Sequence, residues 1–152
     1  MQIEEMFPIL NESLDSYISF IIESSDDSGL DLRISEKLFR AMLSKNIFLV
    51  LQCNGLTKSL NAAGIQTFNE VFNLNNEWDN SKVELNRIND FTSAIEYINN
   101  FDIKKIEDIY LSDEIQKKLE INYQLAKKST SEEEIYKEIE KKLISTMNGT
   151  II

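Results

Sequence analysis

Two almost unbroken apolar runs, residues 17–22 within "SYISFIIES" and residues 47–52, "IFLVLQ", constrain the fold more than anything else in the chain. Both are rich in β-branched and aromatic side chains and too short for membrane spans. That pattern predicts strands buried on both faces. Between them lies "SSDDSGLD", a polar loop with Gly29, and then a helix over residues 36–45. Ser35 is placed to cap that helix, Glu36 sits in its first turn, and Leu38, Phe39, Met42 and Leu43 form its apolar stripe. A short helix over 56–64, closed by Gly64, follows the second strand, and "IQTF", 65–68, reads as a third short strand. Strand, helix, strand, helix, strand is the order of a small parallel, Rossmann-like sheet of about three strands joined by crossover helices. Such sheets take ligands outside the carboxyl ends of their strands, here near residues 23–29 and 52–55.

From residue 79 to 148 the pattern changes to helix throughout. Val83, Ile88, Phe91, Ile95 and Ile98 mark one face of a long helix, and Ile103, Ile106, Ile109 and Tyr110 mark a shorter one. Ser112 is placed to cap the next, with Ile115, Leu119 and Ala126 on its buried side. Ser131 opens a last helix with capping-box spacing to Glu134 and a stripe of Ile135, Ile139 and Leu143. The length fits one domain, residues 1–152, made of an α/β part (1–76) and a helical part (79–148).

Charge and residue usage exclude several function classes. Asp and Glu number 26 against 16 Lys and Arg, a net −10, and no basic cluster exceeds a Lys-Lys pair. Nucleic acid and anionic lipid are therefore disfavoured as partners. There is no histidine and a single cysteine, Cys53, so Ser-His and Cys-His nucleophile pairs, a structural zinc site and an internal disulfide are ruled out. No metal or cofactor is expected. "MQIEEMFPIL" lacks the features of a secretory leader, and no apolar run is long enough to span a membrane, so a cytoplasmic protein is expected.

Any chemistry must come from carboxylates, Lys, Arg, Tyr or the thiol. Glu36 and Lys37 stand first among the candidates. Lys37 beside the free amides of a helix N-terminus would attract a phosphate; the plainer reading is helix-end electrostatics and a solvated lysine. Asp26, Asp27 and Asp31 lack calcium-loop spacing, and Asn54-Gly55 lacks the glycines and Lys-Ser/Thr ending of a phosphate-binding loop. Cys53 reads as a buried, inert thiol. Glu77, Trp78 and Asp79 could flank a ligand, although a lone Trp more often seals a core edge.

Taken in order, "SYISFIIES", "ISEKLFRAML", "NIFLVL", "LNAAGIQTF" and "NEWD" resemble the C-terminal half of phage-encoded glycosyltransferase-like proteins, and "LEINYQLAKK" resembles their closing helix. The Ser-Glu-Lys-Leu-Phe stretch is also similar to the nucleotide-sugar motif of fucosyltransferases, which use the GT-B arrangement of two Rossmann-like halves. The resemblance covers about residues 16–127. It implies that Glu36 and Lys37 face a nucleotide diphosphate, with Glu23 at the adjoining strand end; with the cap residue Ser35 these are the ligand-binding candidates. The chain departs from the pattern in two places: Asn46-Ile47 stands where the family has Pro before the second strand, and Gln52-Cys53 precedes Gly55 where an earlier glycine is expected. An N-terminal acceptor domain has no room in this length.

The resemblance implies a truncated glycosyltransferase-like domain acting as a nucleotide-binding or protein-interaction module, with a phage-encoded inhibitor of a host factor as one form of it. The alternative is a transferase using a nucleotide-sugar donor and completed by a partner chain or a dimer, with Glu36 or Glu23 as base and Lys37 as diphosphate clamp. The sequence leaves enzyme and non-enzyme both open. A purely structural helical module is the third possibility.

Overall fold

The computed structural model describes residues 16–23 and 35–128. Strand β1 (Ile18–Ile22) is followed by helix α1 (Glu36–Leu43), strand β2 (Ile47–Leu51), helix α2 (Leu56–Ala62), a 3-10 turn (Asn69–Phe72), and helices α3 (Glu84–Asn99), α4 (Ile103–Tyr110) and α5 (Asp113–Lys127). The fold is α/β and mostly helical. The Asp26–Asp31 carboxylates and the helix expected from Ser131 lie outside the described residues.

β1 and β2 pair in parallel, in register from Ile18 opposite Ile47 to Ile22 opposite Leu51, as the order of the two apolar runs predicts. In β2 residues Ile47 to Val50 are buried, the mark of a strand covered on both faces. α1 packs on α5 as well as on both strands, while α3 packs on β2 and the 3-10 turn. Phe20 meets Phe72 and Phe91 at ring distances of 5.6 and 5.8 Å, and Phe48 meets Phe68 edge-on at 5.2 Å. These aromatic pairs join strand, turn and helix into one core.

The expected third strand is corrected by the structure: residues 65–68 form no strand, and the sheet has two strands among the described residues. The backbone of this segment is satisfied from a helix. The Asn122 side chain of α5 accepts the Gln66 N–H at 2.7 Å and donates to the Gln66 carbonyl at 2.9 Å, the two bonds a neighbouring strand would have made. Lys118, one turn earlier, donates to the Thr67 carbonyl at 3.1 Å. Gly64, expected to close α2, does so at φ +89°, and Gly55 opens α2 at φ +75°, both in the left-handed region.

The stripe expected on α3 also shifts. Phe91 and Ile98 are buried, but Val83 and Ile88 are exposed, and the inward positions are Arg87, Phe91, Ala94 and Ile98. An arginine at the first of these hid the true face. On α5 the expected Ile115, Leu119 and Ala126 are buried, joined by Asn122. Ser112 stands at the cap position of α5, yet its hydroxyl donates back to the Ile109 carbonyl and caps nothing.

Candidate functional site

The carboxyl end of β1 and the start of α1 come together at one place. The Glu23 N–H donates to the Leu51 carbonyl at 3.0 Å, which carries the strand pairing one residue past β1 and brings the Glu23 side chain out beyond the sheet end. Ser35, in extended backbone conformation, caps α1, its Oγ accepting the Lys37 N–H at 3.2 Å. Its own N–H donates to Glu23 Oε1 at 3.3 Å, and its hydroxyl donates to the same oxygen. The Lys37 ammonium donates to the Ile22 carbonyl at 2.9 Å and lies 3.9 Å from Glu23 Oε2.

Three of the four residues singled out in the sequence therefore meet. Glu36 is exposed in the first turn and makes no ion pair among the described residues. The Glu23 side chain is only 7% exposed, whereas that of Lys37 is 50% exposed. The arrangement is polarised: a sheltered carboxylate gripped by the helix cap, and an ammonium open to solvent at the rim. A negative group at a helix N-terminus is favoured by the helix dipole, so Glu23 stabilises the start of α1. The same geometry presents an acceptor, Oε2, and a cation side by side.

A second polar cluster lies past the end of β2; Cys53, Glu77, Trp78 and Asp79 stood out in the sequence, whereas the parts played by Thr57 and Arg87 were not legible there. Asp79 is 2% exposed; its Oδ2 accepts the Thr57 N–H at 2.7 Å, and its main-chain oxygen accepts the Gly55 N–H at 2.9 Å. Oδ1 has no partner among the described residues. Burial pushes the Asp79 carboxyl above the ordinary aspartate range, against the pull of the Thr57 hydrogen bonds and the Arg87 charge. Arg87 donates through Nε to the Gln52 carbonyl at 3.3 Å and through Nη1 to the Ser81 carbonyl at 2.6 Å. Cys53 is buried, and that burial raises its thiol above its usual value, so it is a poor nucleophile. Trp78 is buried as a core-edge seal and Glu77 is exposed. Sealed in this way, Asp79 and Trp78 do not flank an open site, and the cluster clamps the turn between β2 and α2.

Among the described residues no group of three or more Cys, Asp or Glu side chains is placed to hold a metal ion, and no helix is long and apolar enough to cross a membrane. Compared with known protein families, with curated proteins and with solved structures, the chain finds no match.

Proposed function

We propose that this chain is a truncated glycosyltransferase-like binding module that takes a nucleoside diphosphate, free or in a nucleotide-sugar, at the Glu23–Ser35–Lys37 cluster. The supporting observation is the convergence of these three residues at the carboxyl end of a parallel strand pair, where Rossmann-like layers receive their ligands. The chemistry suits the phosphates of such a ligand. A half-exposed lysine beside a helix N-terminus neutralises a phosphate, and the sheltered Glu23 carboxylate holds that lysine and the cap in place. Binding alone is the reading carried forward. A GT-B transferase works in a cleft between two halves, and the second would have to come from a partner chain or a second copy.

The test is thermal stability in the presence of UDP, GDP, CDP and their sugars. Ligand that binds only the folded form at a hundred times its dissociation constant stabilises by about 2.7 kcal/mol, a shift that is easily read. At least one nucleotide should raise Tm, and Lys37→Ala, which removes a half-exposed side chain, should abolish the shift while leaving the fold intact. If no nucleotide raises Tm, or if Lys37→Ala responds as the parent does, the reading is wrong and the cluster is only a latch between strand and helix. Transfer of the sugar to water or to an acceptor by the isolated chain would favour the transferase alternative instead.

A further inference from the structure

α4 carries an apolar stripe on an eight-residue helix, yet none of its residues is fully buried. Along one of its faces, past Lys105, Asp108 and Ile109, lies an open groove of about 440 Å³. The floor is apolar: Val71 from the 3-10 turn, Tyr97 and Phe101 from the end of α3, Ile109 from α4 and Ile115 from α5. Tyr97 and Phe101 stack edge-to-face at 4.9 Å, giving a rigid aromatic wall. The rim is acidic. Glu70 is paired with Lys118 at 2.5 Å, and the Lys105 ammonium sits 3.7 Å from the centre of the Phe101 ring. Asp108 and Glu114 are exposed on the rim and take part in no ion pair among the described residues.

From this we infer that the α3–α4–α5 groove is a docking site for a basic amphipathic segment of another protein, an aliphatic or aromatic anchor flanked by Lys or Arg. Charge complementarity decides the occupant. The rim offers unpaired carboxylates around an apolar floor, which is the complement of such a segment and repels an acidic one. The chain's own remaining segments are net acidic and so mismatched: residues 1–15 carry Glu4, Glu5, Glu12 and Asp15 with no Lys or Arg, residues 24–34 carry three Asp against one Arg, and residues 129–152 carry five Glu against three Lys. The net charge of −10 would speed encounter with a basic partner. The inference stands apart from the nucleotide site, which lies on β1 and α1.

The test is selection from a phage-displayed library of twelve-residue peptides on the full chain, followed by fluorescence anisotropy on the enriched sequences. The expected enrichment is Lys and Arg around one or two large apolar residues. The double charge reversal Asp108→Lys with Glu114→Lys, both on exposed positions, should weaken those peptides by about tenfold or more at low salt, and salt should weaken binding to the parent. Tyr97→Ala, at a partly exposed position, should also reduce affinity. Enrichment of neutral or acidic peptides, equal binding to the double variant, or no enrichment at all overturns the proposal.

Discussion

Asp79 is buried and leaves Oδ1 without a partner among the described residues, so ionising it is disfavoured in the fold relative to the unfolded chain. Its folded-state pKa is raised, so the native state holds the proton more tightly. The stability this contributes is full below the ordinary aspartate range and fades as pH rises through the raised value. Asparagine stays neutral throughout and keeps an oxygen for the Thr57 amide. The Tm of the parent relative to Asp79→Asn should therefore fall as pH rises through the window above the ordinary aspartate value of about 4. A constant difference across that window would mean that Asp79 is not titrating against its burial. At this scale the sequence was informative only where the chemistry is local. Ser35 as cap and Lys37 in the first turn were legible because a helix end announces itself within three residues. The reach of Arg87 to the Gln52 carbonyl, 35 residues back, left no such trace.

Residues 65–68 have the composition of a strand but not the neighbour. What stands beside them is α5, and the Asn122 amide supplies the donor and acceptor that an extended chain would have offered. The strand pair itself was readable from two apolar runs, but burial on both faces holds only for β2; β1 carries Ser19, buries Ile21 alone and leaves Ile22 62% exposed. The absence of a third was not readable, because a side chain 56 residues away does the pairing. The buried face of α3 was misread for a related reason: Arg87 points inward to grip carbonyls while Val83 lies 56% exposed. Replacing the buried Asn122 by Ala removes both partners of the half-buried Gln66 N–H and carbonyl. The cost should be roughly 2–4 kcal/mol, the desolvation of two backbone groups, measured by urea unfolding. A loss under about 0.5 kcal/mol would show that Gln66 finds other partners and that Asn122 does not define this element.

At the scale of the molecule, charge opposes compaction. The net −10 is spread over a chain whose described ion pairs are few: Lys37 with Glu23, Lys45 with Glu120 and Lys118 with Glu70. Each pair has at least one partner open to solvent and contributes little, so screening should relieve more repulsion than it removes attraction. Raising sodium chloride from about 20 mM to about 300 mM should raise Tm; a fall would mean that these pairs outweigh the general repulsion.

Tyr17, at the entrance to β1, stacks on Tyr110 at 4.8 Å and donates its hydroxyl to Glu107 Oε1 at 3.3 Å, 90 residues further along. Its neighbour across the sheet entrance, Lys45, offers its carbonyl to the Tyr110 hydroxyl at 3.1 Å. As the chain leaves the ribosome, the Tyr17 main chain gains a partner once β2 emerges, the Ile47 N–H donating to its carbonyl at 2.9 Å, but the Tyr17 side chain meets its ring and carboxylate partners only when α4 emerges. A side chain among the earliest made of the described residues thus waits some 90 residues of synthesis for its hydroxyl to find an acceptor.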